Sequence, residues 1–134
     1  MQEAVAPGVG AMAALLKLPE EKLAAVLAEA AQGEVVSAAN LNSPEQVVIA
    51  GHAGAVNRAL DLARAAGARR AVLLPVSAPF HCSLMKPAQE RLRGDLDAIE
   101  FRDLEMPLVN NWQAREIRTG PEAREGLYQQ VPNP

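Results

Sequence analysis

The stretch E-V-V-S-A-A at 34–39, N-L-N-S-P-E at 40–45 and Q-V-V-I-A at 46–50 has the composition of a β-hairpin. Its outer parts are rich in valine and isoleucine, which favour strands, whereas its centre consists of residues that form turns. The pattern predicts two antiparallel strands, 34–39 and 46–50, joined by a six-residue turn.

An amphipathic helix is predicted on each side of this hairpin. Before it, apolar residues recur at helical spacing between Pro19, which suits a helix start, and Gly33, which suits a helix stop. After it, the same spacing continues until Gly67. The apolar positions are Leu23, Val26, Leu27 and Ala30 in the first helix and Val56, Ala59, Leu60 and Ala63 in the second.

Short apolar runs at 10–18 and 70–76 lie outside the two helices and read as further strands. The element order is then β-α-β-β-α-β, the split βαβ pattern of a ferredoxin-like sandwich. We therefore expect a connector over 1–9 and a ferredoxin-like small subdomain over 10–76.

Residues 77–134 have too few elements to enclose a core. Leu84, Ala88, Leu92, Leu96 and Ile99 predict one helix with Pro87 in its first turn. Residues 106–111 form a short strand candidate, and Pro121 opens a helix that runs to about Gln130. This part of the sequence reads as a portion of a larger body.

The composition is that of a globular protein without a bulk affinity for nucleic acid or lipid. Its 134 residues are 49% hydrophobic, and the formal charge is −3. The one cysteine, Cys82, leaves no internal disulfide or cysteine-cluster metal site. No apolar run approaches the roughly 18 residues of a membrane span. We expect a soluble cytoplasmic protein with no metal, membrane or nucleic-acid partner.

The segment S-A-P-F-H-C-S-L-M-K-P at 77–87 carries His81, one of the two histidines. Pro75 and Pro79 restrict the backbone around it, so His81 is expected on a stiff turn between a strand and a helix. Such a turn can present a general acid or base, although an ordinary loop histidine has the same local sequence.

Three separated motifs resemble bacterial malonyl-CoA:acyl carrier protein transacylases. They are N-L-N-S-P-E-Q-V-V-I-A-G at 40–51, V-S-A-P-F-H-C-S-L-M-K-P at 76–87 and P-L-V-N-N at 107–111, in the order of the family. The resemblance runs from 1 to about 130. It implies an α/β protein in which a ferredoxin-like subdomain is inserted in a larger, α/β-hydrolase-like acyltransferase body, of which 77–134 would be the C-terminal part.

The resemblance also implies roles for individual residues. His81 matches the catalytic histidine, and Gln130 matches the glutamine whose carbonyl orients the histidine ring, with Gln129 as the nearest alternative. Phe80 matches a position that often holds Phe in malonyl-selecting members and Ser in members accepting a 2-methyl branch; ordinary packing is the alternative. Asn40 and Asn42 match positions that line the substrate cleft, although turn formation alone would explain them.

The serine nucleophile of the family lies in a G-H-S-x-G elbow, which is absent from the sequence. The closest string, G-H-A-G-A at 51–55, has no hydroxyl, and its His52 reads as the start of a helix. Cys82 adjoins His81, but sequence neighbours point apart, which argues against a Cys–His pair. We expect the family's elbow to precede Met1 and the chain alone to be inactive.

The implied partners are malonyl-CoA, an acyl carrier protein and the N-terminal part of the same fold, in fatty-acid or polyketide synthesis. Coenzyme A enters as a substrate thioester, and no cofactor is expected. Carrier proteins of this family are acidic, so Arg69, Arg70 and Lys86 are candidates for a basic docking patch, with a solvated strand end as the alternative. A rival interpretation of the whole chain is a stand-alone ferredoxin-like binding or regulatory module without catalysis.

Overall fold

The structure of the chain is a computed structural model that describes residues 1–76 and 78–134. It is a mixed α/β structure with four α-helices, six strands and two short 3-10 helices among the described residues. The 3-10 helices are Gln2–Ala4 and Ser83–Met85. The other elements are β1 (Gly10–Leu16), α1 (Glu20–Ala31), β2 (Val36–Ser43), β3 (Gln46–His52), α2 (Ala53–Ala65), β4 (Arg70–Leu73), α3 (Lys86–Asp97), β5 (Leu108–Val109), β6 (Glu116–Ile117) and α4 (Gly120–Gln130).

Strands β1 to β4 form one antiparallel sheet in the order β2-β3-β1-β4. The order β-α-β-β-α-β within this unit is the predicted one. Four consecutive residues of β1, from Met12 to Leu15, are buried, which requires that both faces of the sheet be covered because successive side chains point to opposite faces.

One face packs on α1 and α2. This helix-side core contains Leu15, Val26, Ile49, Val56 and several alanines, whose small side chains allow the helices to approach the sheet closely. The opposite face forms a turn-side core, in which Met12, Ala14, Ala39, Val48 and Ala50 pack with Cys82. The segment that carries His81 is therefore attached to the sheet face that the helices leave open.

Several predicted boundaries are wrong. The hairpin turn consists of Pro44 and Glu45 alone, because 40–43 continue β2 and pair with β3 across two register shifts. Asn40, Leu41 and Ser43 pair with β3 on either side of the second shift, so the turn propensity of the polar residues does not end the strand. The strand predicted over 70–76 ends at Leu73, and the strand predicted over 10–18 ends at Leu16.

The region after the His81 turn contains the two predicted helices, α3 and α4, and Pro87 lies in the first turn of α3. The strand predicted over 106–111 is only β5, which pairs with the unpredicted β6. Several large apolar side chains are exposed in this region: Ile99, Met106, Leu108 and Val109. No helix among the described residues is long and apolar enough to cross a membrane.

Candidate active site

His81 lies on a turn whose flanking residues are buried against the sheet. Pro79 is almost fully buried, and Cys82 is 1% exposed within the turn-side core. The Cys82 thiol donates a hydrogen bond to the Pro79 carbonyl at 3.1 Å, and the Met85 amide donates to the Cys82 carbonyl at 2.9 Å. These contacts fix the backbone on both sides of His81.

His81 itself has a φ of +57°, in the left-handed region that residues with a Cβ rarely adopt. This conformation costs on the order of 1–3 kcal/mol and persists where the surroundings enforce it. Here the buried Pro79 and Cys82 supply that enforcement. The half-buried His81 ring is thereby directed away from the sheet and towards α4.

The His81 ring is oriented by the end of α4. Its Nδ1 atom lies 2.7 Å from the carbonyl oxygen of Gln130, the last residue of that helix. Because a carbonyl oxygen only accepts, Nδ1 must carry the proton, and Nε2 of the neutral ring keeps its lone pair. The arrangement can accept a proton at Nε2 from a nearby hydroxyl or thiol.

Helix α4 is held in place at its N-terminus by a capping box. The Thr119 hydroxyl accepts a hydrogen bond from the Glu122 amide at 3.4 Å, and a Glu122 carboxylate oxygen accepts from the Thr119 amide at 3.2 Å. The amide of Arg118, followed by the Arg115 guanidinium and the Thr119 hydroxyl and amide, lowers the pKa of Glu122 to about 2. The sequence T-x-x-E at 119–122 is the signature of this cap.

A second contact joins α4 to α3. The Gln89 side-chain amide donates to the Tyr128 carbonyl at 3.1 Å, and Gln89 is one of two buried polar residues among those described. Gly126 of α4 faces Asn110, with an added Cβ expected 3.5 Å from the Asn110 amide nitrogen. The Gln130 carbonyl is thus fixed by contacts along the whole helix.

Cys82 does not form a pair with His81. Its thiol bonds to Pro79 inside the turn-side core, and burial raises the pKa of that thiol. A raised thiol pKa disfavours the thiolate that acts as nucleophile. The expectation that these two neighbours point apart agrees with the contacts of each side chain.

The other histidine, His52, is the last residue of β3 and occupies the N-cap position of α2 without a side-chain capping bond. Its Nδ1 atom accepts a hydrogen bond from the Val35 amide at 2.9 Å. The ring therefore joins the end of β3 to the segment that enters β2. The G-H-A-G-A string at 51–55 has a structural use in this contact.

The remaining predicted site residues differ in their solvent exposure and contacts. Phe80 is half-buried and packs against the turn-side core and against a small cluster of Val5, Met85 and Val131. Asn40 is half-buried on β2 and Asn42 is exposed, and neither side chain is hydrogen-bonded to another described residue. The Gln129 side chain bonds to Glu125 at 2.8 Å, so Gln130 is the glutamine that faces His81.

The three candidate docking residues are all exposed. Arg70 begins β4, and Arg69 precedes it with its amide bonded to the Leu16 carbonyl at 3.0 Å. Lys86 is exposed at the first position of α3. None of the three forms an ion pair with a described residue, so their charges face solvent.

A groove of about 810 Å³ lies beside the turn, between the N-terminal residues and α3. Its lining includes Phe80, Ala88, Leu92 and Val131 on the apolar side and Arg91 and Asp95 on the polar side. Within residues 1–76 and 78–134, no three side chains of His, Cys, Asp or Glu converge on a metal-binding geometry.

No protein-family model matches the chain. The malonyl CoA-acyl carrier protein transacylase of Escherichia coli strain K12 is 50% identical over 134 residues, which are 100% of this chain and 43% of that protein. An acyl carrier protein S-malonyltransferase from Vibrio cholerae superposes with a TM-score of 0.96 at 47% identity, covering 100% of this chain and 44% of that one. The structure of a type II PKS acyl-carrier protein in complex with its malonyl-transacylase contains a chain that matches with a TM-score of 0.95 at 47% identity, covering 99% of this chain and 43% of that one.

The mixed α/β architecture is therefore that of part of an acyltransferase. The chain spans less than half of the length of the curated relatives it matches, 43% in the relatives from Escherichia coli and Bacillus subtilis. Over that span it belongs to the malonyl CoA-acyl carrier protein transacylase family.

Proposed function

We propose that the chain supplies the histidine side of the active site of a malonyl-CoA:acyl carrier protein transacylase. The observation that carries the proposal is the 2.7 Å contact between His81 Nδ1 and the Gln130 carbonyl, which leaves Nε2 free as a base. The family relationship supports malonyl transfer as the reaction. In this proposal Gln130 orients the ring and His81 moves the proton.

The reaction has two steps. A serine Oγ bonds to the thioester carbonyl of malonyl-CoA while the C–S bond breaks, and His81 Nε2 takes the serine proton and gives it to the departing coenzyme A thiolate. In the second step, Nε2 takes the proton of the carrier's pantetheine thiol, whose sulfur attacks the serine ester. The serine oxygen then leaves with that proton. The reaction needs no further cofactor.

In this proposal the serine belongs to a polypeptide segment outside these 134 residues. They contain no G-H-S-x-G elbow, and the G-H-A-G-A string at 51–55 lacks a hydroxyl. This segment would be the N-terminal part of the same fold. The contact of His52 with the Val35 amide supports a structural role for that string.

In this proposal the chain consists of a small subdomain and part of a larger catalytic body. The antiparallel sheet with order β2-β3-β1-β4 and two helices on one face supports a ferredoxin-like small subdomain over 10–76. The exposed apolar residues after the turn support the assignment of 77–134 to a larger α/β-hydrolase-like body. Ser77, the first residue of that second unit, lies outside the described residues.

Phe80 adjoins the base and is our candidate for acyl selectivity. A phenyl ring there would fill the volume that a 2-methyl branch requires, although its contacts with two apolar clusters equally support packing. Replacing it by Phe80→Ser should raise the ratio of methylmalonyl to malonyl transfer by at most about 10- to 200-fold, the range for one carbon. An unchanged ratio would mean that Phe80 contributes only to packing.

Asn40 and Asn42 remain candidates for lining the cleft.

The acyl carrier protein is the proposed second substrate, and a relative has been solved in complex with one. Exposed Arg69, Arg70 and Lys86 would attract an acidic carrier to a chain whose net charge is negative. The variant Arg69→Glu/Arg70→Glu should then lower carrier kcat/KM and reduce its dependence on ionic strength, because rim charges act on association. If kcat/KM of the double variant depends on ionic strength as it does in wild type and has the same height, Arg69 and Arg70 are not docking residues.

The test of the function uses two preparations. The 134-residue chain alone, incubated with malonyl-CoA, should gain no malonyl mass, because it lacks the serine. In a polypeptide that joins the chain to the serine segment of a relative, His81→Ala should lower transfer by about 10²–10⁴. His52→Gln is the matched control, since it alters the other histidine.

Two outcomes would overturn the proposal. A stoichiometric malonyl adduct on the 134-residue chain would mean that it contains its own nucleophile. Unchanged transfer in His81→Ala would remove the general base, and would favour the rival interpretation of a ferredoxin-like module without catalysis.

A further inference from the structure

Pro79 is held between two parts of the chain that are distant in sequence. It is almost fully buried two residues before His81, and its carbonyl accepts the Cys82 thiol. Its ring lies directly on Gly10, the first residue of β1. A Cβ built on Gly10 would lie 2.4 Å from Pro79 Cγ, 2.5 Å from Cδ and 2.9 Å from Cβ.

Those distances are shorter than side chains tolerate, so one of the two residues would have to move. Gly10 has little freedom to do so, because it pairs with His52 in the β1–β3 ladder. The adjacent Val9 carbonyl also accepts the Ala53 amide at 2.9 Å. Displacement would therefore fall on Pro79 and on the turn that follows it.

The requirement for glycine at this position is one of space. The backbone of Gly10 lies outside the left-handed region, unlike those of Gly8, Gly33 and Gly67. An alanine could adopt the same backbone without strain if the proline ring were absent. The contact with Pro79 is thus the specific reason for the missing side chain.

We propose that Gly10 is a positioning residue for His81, acting through Pro79. This inference rests on the proposed function, in which His81 is the base. His81 has a φ of +57° between two fixed neighbours, so a displaced Pro79 would turn the ring away from Gln130. The Nδ1 proton would then lose its acceptor, and Nε2 would no longer be held unprotonated.

The inference can be tested without measuring transfer. Imidazole ¹⁵N shifts of the two histidines, recorded at about pH 8.5 where free imidazole is neutral, report which ring nitrogen carries the proton. The variant His81→Gln assigns the signals. Wild type should have the His81 proton on Nδ1, and Gly10→Ala should move it largely to Nε2 while the His52 signals stay unchanged.

Two further variants make the result specific. Gly94→Ala is the matched control, because a Cβ at Gly94 meets nothing within 4 Å and should leave the His81 signals unaltered. Gly10→Ala/Pro79→Ala removes Cγ and Cδ, two of the three close atoms, and should return the proton to Nδ1. If Gly10→Ala prevents folding, recovery of folding in the double variant supports the same contact.

A wild-type His81 spectrum in folded Gly10→Ala overturns the inference, as does a double variant that recovers neither the spectrum nor the fold. These outcomes are separate from the proposed function, which depends on the effect of His81→Ala on malonyl transfer. In the joined polypeptide, Gly10→Ala should lower kcat about 10-fold or more with little change in the KM for malonyl-CoA, because a small misplacement of the base affects the chemical step.

Discussion

At the scale of single residues, His81 combines a predictable position with an unpredictable conformation. Pro75 and Pro79 indicated a stiff turn from sequence alone, and the turn is present. The positive φ of His81 could not be read from the same residues, because its cause is the burial of Pro79 and Cys82 against a sheet formed much earlier in the chain. Gly10 was missed for the same reason, since its proline partner is distant in sequence.

The left-handed backbone of His81 gives a prediction about stability. His81→Gly and His81→Ala both lose the bond to Gln130, but only alanine keeps a Cβ in a region that disfavours it. The glycine variant should therefore have the higher free energy of unfolding, by about 1 kcal/mol, in urea denaturation.

Gly94 is a control position at which alanine, rather than glycine, should be the more stable residue. It lies within α3, where alanine is the better helix former, so Gly94→Ala should raise stability by about 0.5–1 kcal/mol. Equal stability of His81→Gly and His81→Ala would mean that the turn relaxes freely and that the histidine is not constrained as described.

At the scale of elements, the periodic helices were predictable and the strands were less so. Helices α1 and α2 follow the 3.6-residue spacing of their apolar residues, which depends on local sequence. Strand β2 extends through 40–43 because its partner β3 supplies backbone bonds there, a non-local effect that turn propensity cannot anticipate. The two-residue strand β6 has too short a pattern to be recognised.

Helix α4, which presents the Gln130 carbonyl, should lose stability in acid through Glu122. The pKa of Glu122 is about 2 in the folded protein and close to its ordinary value of 4.5 in the unfolded one. A lowered folded pKa means that its contribution is present above about pH 4.5 and is lost as the pH falls towards 2. Wild type should therefore lose more stability than Glu122→Gln between about pH 6 and pH 3.

The measurement is the free energy of unfolding of both proteins across that range, with Glu125→Gln as a control on the same helix. Parallel pH profiles for wild type and Glu122→Gln would contradict the assigned capping interaction. The cap also links acid sensitivity to the site, since α4 carries the residue that orients His81.

Helices α1 and α2 are joined by Arg58. Its guanidinium donates to the carbonyls of Ala30 at 2.8 Å and Ala31 at 3.1 Å, the last residues of α1, and to Glu34 at 2.7 Å. Loss of the charged donor removes a partner from the Ala30 carbonyl, whereas the Ala31 carbonyl keeps the Glu34 amide at 2.7 Å, so Arg58→Ala should cost about 2 kcal/mol. Glu34→Gln should cost under about 1 kcal/mol, because a partly exposed ion pair contributes little.

Arg91→Ala is the matched control for Arg58→Ala. Arg91 also forms an ion pair, with Glu3 at 2.8 Å, but both side chains are largely exposed. Its replacement should change the free energy of unfolding much less than Arg58→Ala does, because an exposed ion pair is screened by solvent and contributes little. If both variants lose the same free energy of unfolding, the contacts of Arg58 with the end of α1 do not stabilise the protein.

At the scale of the whole molecule, the distribution of apolar residues differs between the two parts of the chain. The sheet and its two helices enclose the helix-side core, where most side chains are fully buried. After the turn, Met106 is 78% exposed and Val109 is 64% exposed. The number of elements predicted after the turn was too small to enclose a core, whereas the identity of the exposed residues depends on how α3, α4 and the β5–β6 pair pack.

The exposed apolar segment predicts how the 134-residue chain behaves in solution. Apolar side chains clustered at 106–109 favour association with a further surface, so the sedimentation coefficient of the chain should rise with concentration. Met106→Lys/Val109→Lys should reduce that rise, because lysines at these positions oppose apolar contact. Leu41→Lys is the matched control: Leu41 is 67% exposed at the far end of β2, outside the segment, and its replacement should leave association unchanged. If the serine segment packs on these side chains, as the proposed function implies, the same double variant should lower the free energy of unfolding of the joined polypeptide. An isolated chain that stays monomeric at all concentrations, together with a joined polypeptide of unaltered stability, would mean that Met106 and Val109 are ordinary surface residues with no partner surface.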